Sequence, residues 1–232
     1  RVRCGQIQAT CAFTSHILTL GPHPVREERM ATAALKRYTP EEYLELERHA
    51  EFRSEYIGGR IIAMSPGARR PHNLIVAALV SQLESHLLDG PCEVYPSTQR
   101  VKVRASGDYL YPDVSVSCDP QFENGNHDNL LTPVLIIEVL SDSTERRDRE
   151  TKFSLYRKIE SLREYVLISQ KEVLVEQYVR EGDLWPRSAM TGIEGSLVLA
   201  SVGLEIPLRR LYDKALKPTR RVPRPWRTFC MA

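Results

Sequence analysis

The chain has 232 residues, of which 42% are hydrophobic and 27% are charged, the balance of a globular protein that can bury a core without metals or disulfides. No apolar run approaches the roughly 18 residues that a membrane-spanning helix needs, so a transmembrane protein is excluded. The formal net charge of +2 argues against a strongly basic nucleic-acid-binding protein.

The charge is unevenly distributed, and this distribution indicates where one domain begins and ends. Residues 1–29 carry a net charge of +2 and residues 214–232 carry +6, so the body between them carries −6. We expect residues 1–35 to be a non-native or disordered N-terminal extension, with Met30 as the natural initiator. Residues 36–213 are expected to form one domain, followed by a basic, disordered tail.

The first part of the body predicts a helix, a hairpin and a second helix. The segment Thr39-Pro40-Glu41-Glu42 combines an N-cap threonine with proline and glutamate in the first turn, which indicates a helix running to about residue 50. Residues 55–65 hold two short β-forming runs around a Gly-Gly pair, a pattern typical of a hairpin. Apolar residues at helical spacing over 71–88 predict the second helix.

The rest of the body mixes strands with one long helix. Residues 134–140 form an apolar run broken by one acid, as expected of a buried central strand, and a helix is predicted over 143–159. Further strands are predicted over 94–103, 111–117, 165–168 and 173–179, with a polar loop over 120–131 and short strands plus a helical turn over 185–211. This order predicts a mixed α/β fold, in which helices flank a mixed sheet on both faces.

The five cysteines indicate neither a cross-linked protein nor a zinc protein. Their number is odd, they are widely spaced, and no Cys-x-x-Cys pair occurs, so we expect no disulfide framework and no zinc site. This cysteine usage predicts a location in the reducing cytoplasm. Cys118 is interpreted as a small buried hydrophobic residue.

Two acidic residues stand at positions where a strand would be buried. Glu138 interrupts the apolar run 134–140, and burying its carboxylate costs several kcal/mol unless a cation pairs with it. Asp113 stands where the strand over 111–117 begins. Carboxylates from adjacent strands can hold one divalent ion between them, and oxygen ligands suit Mg²⁺ or Mn²⁺. Such an ion activates water and neutralises charge on a phosphoryl group.

Lys152 is the candidate cation beside this pair of acids. It shares a helical stripe with Phe153 and Tyr156, which we expect to face the sheet. A lysine in that position would stabilise an attacking hydroxide or the negative charge that develops on the phosphate. Asp148 lies four residues before Lys152, and this spacing alone would indicate a solvated ion pair on a helix surface.

These residues belong to an ordered set of motifs. The set comprises YTPEEY (38–43), SEYIGG (54–59), YPDV (111–114), IEVLSDST (137–144) and EYVLI (164–168), with His72, Asp148, Lys152 and Tyr156 between them. The set is similar to the PD-(D/E)XK nuclease superfamily, and more closely it resembles the Uma-two family of restriction endonuclease-like proteins, formerly a domain of unknown function. The resemblance covers about residues 38–212.

The resemblance implies a restriction-endonuclease core that hydrolyses DNA phosphodiester bonds with Mg²⁺, for which Mn²⁺ can substitute. It implies that Asp113 and Glu138 ligate the metal and that the Val139 carbonyl joins them. Glu55 would be an extra acid contributed ahead of the core. A nuclease that cuts both strands needs two such sites, so a homodimer is one assembly to consider.

The lysine departs from the superfamily pattern. That pattern places a lysine two residues after the glutamate, where this chain has Leu140. The family moves the lysine onto the following helix, and Lys152 is the residue at that place. Asp142 also departs from the family, which usually has proline after the serine, and this change is expected to affect the start of the helix more than the chemistry.

Several of these residues also have plain structural interpretations. Asp113 follows Pro112 and could simply cap a turn or begin a strand. Glu55, taken alone, predicts an exposed residue of the hairpin. His72 lies in the first turn of its helix, where contact with solvent is the simplest expectation, and it is left out of the catalytic set.

Two other classes of function stay open. The same fold could serve as a catalytically inactive module that binds nucleic acid or protein, and the acidic body favours that alternative. A purely structural protein would need a cationic partner for Glu138 in place of a metal. Motifs of phosphate loops, dinucleotide-binding folds, zinc proteases and serine hydrolases do not occur in the sequence.

Overall fold

The computed structural model describes residues 36–64, 67–125 and 127–218. The predicted N-terminal extension, with its proposed initiator Met30, and the basic tail beyond residue 218 lie outside the described residues. Within the described ranges, none of the helices combines the length and the apolar character that crossing a bilayer would need.

Helices separate runs of consecutive strands along the chain. The helices are α1 (Pro40–His49), α2 (Arg70–Leu87), α3 (Glu145–Arg147), α4 (Phe153–Tyr156) and α5 (Leu208–Tyr212), with a 3₁₀ turn at Glu123–Gly125 and a π-helix at Asp148–Lys152. The strands are β1 (Ser54–Ile57), β2 (Arg60–Ala63), β3 (Glu93–Pro96), β4 (Arg100–Val103), β5 (Asp108–Leu110), β6 (Val114–Ser117), β7 (Asn129–Leu130), β8 (Leu135–Leu140), β9 (Glu164–Ser169), β10 (Leu174–Val179), β11 (Arg187–Thr191), β12 (Ser196–Leu199) and β13 (Leu204–Pro207).

α1 forms where its capping sequence predicts it. The Thr39 side chain accepts a hydrogen bond from the Glu42 amide (3.2 Å), and the Glu42 carboxylate accepts one from the Thr39 amide (2.8 Å). This reciprocal capping box satisfies two amides that a helix start leaves unpaired. Tyr43 of α1 packs against Tyr56 of β1, with ring centroids 5.3 Å apart, and so attaches the helix to the hairpin.

The predicted hairpin is confirmed and belongs to a five-stranded sheet. β1 and β2 pair around Gly58 and Gly59, whose φ values of 56° and 83° are left-handed conformations that glycine adopts without strain. The strand order of this sheet is β2-β1-β5-β4-β7. In this sheet β1 lies beside β5, although the two strands are far apart in the sequence.

A six-stranded mixed sheet has the order β11-β10-β9-β8-β6-β3. β8, the predicted central strand, pairs antiparallel with β6 and parallel with β9. The helical segment between β8 and β9 is a crossover, because parallel neighbours cannot be joined by a tight turn. The predicted mixed α/β class is therefore confirmed, although the strands form two main sheets where the sequence predicted one.

Side chains of β8 alternate between two cores, as a strand buried on both faces requires. The first core joins Leu135, Ile137 and Val139 of β8 to the buried face of α2 (Ile75, Leu79, Leu83 and Leu87). The second joins Ile136 and Leu140 of β8 to Leu155 and Tyr156 of α4. Helices thus cover both faces of the sheet, and Glu138 falls on the face that the crossover covers.

Two predicted elements are interrupted in the structure. The single strand predicted over 94–103 is wrong, because the Gln99 amide bonds the Pro96 carbonyl (3.0 Å) in a turn that separates β3 from β4. β3 then joins the six-stranded sheet and β4 the five-stranded one. The helix predicted over 143–159 consists of α3, the π-helix and α4, and it ends at Tyr156.

One disulfide occurs although the sequence predicted no disulfide framework. Cys92 and Cys118 are disulfide-bonded across 26 residues of sequence, and Cys118 is only half-buried, so its interpretation as a small buried hydrophobic residue is wrong. Glu93 lies opposite Ser117 in the antiparallel β3–β6 pair. Continuing this register by one position places Cys92, directly before Glu93, beside Cys118, directly after Ser117. The sequence does not reveal this pairing, because β4 and β5 lie between the two cysteines in the chain but belong to the other sheet.

The C-terminal hairpin of β12 and β13, together with α5, packs into the first core. Arg70 at the start of α2 donates hydrogen bonds to the carbonyls of Lys214 (3.1 Å), Ala215 (3.4 Å) and Lys217 (3.1 Å). The chain therefore stays in contact with α2 as far as Lys217, four residues past the expected end of the domain at Asp213.

The first core yields a test of stability. Leu83→Ala should lower the free energy of unfolding by about 2–5 kcal/mol, because Leu83 is fully buried and its removal leaves a cavity. Leu88→Ala is the matched control, since 77% of Leu88 is exposed at the end of the same helix, and a change of no more than about 0.5 kcal/mol is expected. Urea unfolding, monitored by circular dichroism, measures the free energy of unfolding of both variants. An equal loss of stability in the two variants would contradict the assignment of the buried face of α2.

Candidate active site

Glu138 occupies the face of β8 that the crossover covers, and only 3% of the residue is exposed. Its Oε1 accepts hydrogen bonds from Lys152 Nζ (2.9 Å) and from the Tyr156 hydroxyl (3.3 Å). The two donors come from the helical segment that follows β8. The structure therefore gives the buried acid the cationic partner that burial in an apolar strand demands.

Lys152 lies within a cluster of acids. Its Nζ is 2.9 Å from Glu138 Oε1, 3.0 Å from Glu55 Oε1 and 3.4 Å from Asp148 Oδ1. The expectation that Asp148 and Lys152 form a solvated helix pair is wrong, because 2% and 4% of these residues are exposed. Burial converts an i, i+4 pair of small energetic value into part of a desolvated network.

A π-helix brings Asp148 and Lys152 into this cluster. The Phe153 amide bonds the Asp148 carbonyl, which is the i to i+5 hydrogen bond of a π-helical turn. The Tyr165 hydroxyl donates to the same carbonyl (2.9 Å) and thereby supports the wider turn from β9. Such turns are rare and occur often at functional sites.

Asp113 lies directly before β6 and contacts two groups through one oxygen. Its Oδ2 accepts a hydrogen bond from the Val139 amide (2.7 Å) and lies 3.2 Å from His72 Nε2. Burial is the largest single influence on the pKa of His72 and lowers it, but the hydrogen bond and negative charge of Asp113, with smaller contributions from Asn73 and Asp148, together raise that pKa overall. The expectation that His72 merely contacts solvent is wrong, since 14% of its side chain is exposed.

Glu55 reaches the cluster from β1 of the other sheet. Its Oε1 accepts a hydrogen bond from the Tyr111 amide (3.3 Å), and its Oε2 lies 3.6 Å from Arg147 Nε. Glu55 is 1% exposed, so the interpretation as a surface residue of the hairpin is wrong. Its location agrees with the extra acid that the resemblance implies, while its catalytic role stays a prediction.

The cluster holds more acidic groups than basic ones. Glu55, Glu138 and Asp148 contact Lys152, Arg147 lies near Glu55, and the fourth acid, Asp113, acts on Glu138 through its charge. Burial raises the pKa of Glu138 well above its usual range; Lys152 lowers that pKa, while Asp148 and Asp113 raise it further. Burial lowers the pKa of Lys152, but the acids around it outweigh burial and raise that pKa well above its usual value, so the ammonium stays charged.

The donor atoms fit a hard divalent cation. Glu55 Oε2 and Asp148 Oδ1 are buried carboxylate oxygens that accept no hydrogen bond, and their present neighbours, Arg147 at 3.6 Å and Lys152 at 3.4 Å, show that both positions favour positive charge. Among the residues that the structure describes, no three His, Cys, Asp or Glu side chains converge closely enough to form a ready metal cage. Mg²⁺ needs only one or two protein carboxylates, because it keeps several of its waters.

A cleft of about 1060 Å³ opens beside the cluster. Its lining includes all four acids, Lys152 and His72. Sequence reasoning missed Asp148 and His72 as members of this site. Asp148 could have been found from its spacing to Lys152, once that lysine was assigned to a buried stripe. Nothing in the sequence around His72 indicates Asp113, because tertiary packing of α2 against β6 brings the two residues together.

The cluster predicts how a variant without the lysine responds to pH. Lys152→Met should cost about 3–5 kcal/mol of stability near neutral pH, because it leaves buried acids without their cation. Glu138 already has a raised pKa in the folded protein, and loss of the ammonium raises it further. The folded variant then retains a proton that the unfolded chain releases, so its stability falls as pH rises above about 4.5.

We therefore expect the stability deficit of Lys152→Met to be larger at pH 8 than at pH 5. Urea unfolding at both values measures the deficit. Lys158→Met is the matched control, since Lys158 is exposed just beyond α4 and its loss should change stability by no more than about 0.5 kcal/mol. A deficit that does not depend on pH would contradict the coupling between Lys152 and Glu138.

Comparison with known proteins places the chain in a family. The profile of the Uma2 family, described as "Putative restriction endonuclease", matches residues 40–209. The uncharacterized protein slr1290 of Synechocystis is 36% identical over 152 residues, which cover 66% of this chain and 79% of the relative. The uncharacterized protein sll1609 of Synechocystis is 38% identical over 155 residues, which cover 66% of this chain and 87% of the relative.

A solved structure shares the fold. A crystal structure from Anabaena variabilis, described as a "putative nuclease belonging to DUF820", has a TM-score of 0.63 and 21% identity, and the match covers 77% of this chain and 99% of that one. This likeness supports the mixed α/β fold. Because the family profile spans most of the chain and every acid of the cluster, the chain belongs to the Uma2 family.

Proposed function

We propose that this protein is a metal-dependent endonuclease that hydrolyses phosphodiester bonds in DNA. The observation that carries the proposal is the buried Lys152, surrounded by Glu55, Glu138 and Asp148 beside an open cleft. A charge cluster that is costly to bury and has perturbed pKa values is typical of a functional site. Membership in a family described as restriction endonuclease-like supports the reaction class.

Asp113 and Glu138 would hold Mg²⁺, or Mn²⁺ in its place, with the Val139 carbonyl as a further ligand. Glu138 lies on β8, and Asp113 lies directly before the neighbouring strand β6. The N–H and C=O of one strand residue point to the same side, and the Val139 N–H points to Asp113. When bound, the ion supplies a Lewis acid that activates water and neutralises charge on the phosphoryl group.

Lys152 would orient the attacking water and stabilise negative charge on the phosphate. An ammonium group has three N–H donors, and here three carboxylates lie within 3.4 Å of it. At least one of these contacts has to be released before Lys152 can engage water or phosphate. Glu55 and Asp148 would then position the ammonium through the contacts that remain.

The acidic body of the protein opposes the approach of DNA. Residues 30–213 carry a net charge of −6, which repels the phosphate backbone. Arg53 and Arg69 are exposed and line the cleft, where they can contact backbone phosphates. We therefore expect DNA binding to be weak and to weaken further with salt.

A homodimer and a cytoplasmic location complete the proposal. Cutting both strands of a duplex requires two sites, which a pair of chains would supply. DNA as the substrate argues for the cytoplasm. The disulfide between Cys92 and Cys118 removes the argument from cysteine usage, so the cytoplasmic location rests on the substrate alone.

The metal ligands give the direct test of this function. Asp113→Asn and Glu138→Gln should each lower the rate of Mg²⁺-dependent cleavage of plasmid DNA by at least about 100-fold, because each removes a charged ligand while preserving shape. Asp119→Asn is the matched control, since Asp119 is exposed beyond β6, away from the cluster, and full activity is expected. Cleavage at the normal rate by both variants would exclude the proposed metal site.

A catalytically inactive binding module is the second candidate. The acidic body is the observation that favours it, because a net charge of −6 opposes binding of the DNA backbone. Calorimetry with MnCl₂ separates the two functions. An inactive module would bind no divalent ion and would cleave no form of DNA, whereas the nuclease would bind the ion in the absence of any substrate.

A further inference from the structure

We propose that His72 is a positioning residue that holds Asp113 in the orientation needed for metal binding. The inference rests on the proposed function and extends it to a residue outside the expected set of acids and lysine. It starts from a pair of contacts on one oxygen. Val139 and His72 both meet Asp113 at Oδ2, at 2.7 Å and 3.2 Å.

The two contacts are complementary in chemistry. A carboxylate offers only acceptors, so the His72 nitrogen that faces it, Nε2, carries the proton and donates. The Val139 amide is fixed in β8, and the His72 ring is attached to α2. Two donors from different elements on the same oxygen fix the rotation of the Asp113 carboxylate. Oδ1, the other oxygen, is then the one left to ligate a cation.

His72 is itself held rigidly. It lies in the first turn of α2, directly after Pro71, whose ring presets the helical backbone there. The next turns of the helix bury Ile75 and Leu79 completely in the first core. A ring on such an anchored helix loses little further entropy when it contacts a partner, so it is suited to orienting that partner.

The surroundings of His72 point to the cleft rather than to a purely structural contact. Its side chain is 14% exposed, that of Asp113 is 18% exposed, and both residues line the cleft. Nδ1 of His72 is buried and has no hydrogen-bond partner within the described part of the chain. Nε2 therefore carries the contact of the ring with Asp113, and the Asn73 side chain is a second polar neighbour of the ring. Groups that orient a metal ligand in this way typically contribute 10- to 100-fold to metal affinity.

Calorimetric titration of the full-length protein with MnCl₂ tests the inference. His72→Leu should weaken Mn²⁺ binding by about 10-fold or more, because the Asp113 carboxylate becomes free to rotate. His72→Gln places an amide N–H near the position of Nε2, so it should restore affinity to within about threefold of the unaltered protein. His72→Asn has a shorter side chain that does not reach Asp113, so it should bind like His72→Leu.

His86→Leu is the matched control. His86 lies on the same helix, is exposed, and contacts the Val202 carbonyl at the far end of α2. This variant should bind Mn²⁺ normally. If His72→Leu fails to fold, judged by circular dichroism, the comparison of the Gln and Asn variants decides, because the two differ only in reach.

Normal Mn²⁺ affinity in His72→Leu or His72→Asn would overturn the role of His72 while leaving the proposed nuclease intact. No Mn²⁺ binding by the unaltered protein would overturn the proposed metal site and, with it, this inference. Pulsed electron paramagnetic resonance of the Mn²⁺ complex gives a second readout. Nitrogen coupling from an imidazole would show direct ligation and would also overturn the positioning role, for which no such coupling is expected.

Discussion

The ammonium group of Lys152 within a group of buried carboxylates is the interaction on which the site depends. Removing charges from water costs several kcal/mol for each ion, and only close contacts between opposite charges offset that cost. The contacts of 2.9 Å to Glu138 and 3.0 Å to Glu55 meet this condition. They require β8, the crossover helix and the hairpin strand β1 to be in place together. Two sheets and one helical segment are therefore connected by a single charged group.

Part of the site follows from the sequence because its signal is local. An acid inside an apolar strand has to find a cation, and this reasoning selects Glu138 and then Lys152 on the next helix. Glu55 and His72 carry no such local signal. Each is an ordinary polar residue in its own element, and each becomes buried only because that element packs against another part of the chain. The resemblance to a family supplied Glu55, whereas His72 required the folded structure.

The fold shows the same division between local and distant causes. Capping at Thr39 and the glycines after β1 are local, and the helix and hairpin occur where they were predicted. The break between β3 and β4 arises because the two strands join different sheets. The alternation of apolar and polar residues over 94–103 does not indicate which sheet each strand joins. The disulfide between Cys92 and Cys118 depends on the same choice, because the β3–β6 pairing places the two cysteines side by side.

The short distance in sequence between Glu138 and Lys152 has a consequence for how the site assembles. The two residues are 14 apart, joined by the β8 crossover, so the loop that brings them together is small. Glu55 arrives from a distant part of the chain, and closing that longer loop costs about 2 kcal/mol more in chain entropy. The crossover can thus bring the first acid to the lysine before the hairpin docks. We therefore expect desolvation of the site to be completed when Glu55 docks, since that contact carries the larger loop-closure cost.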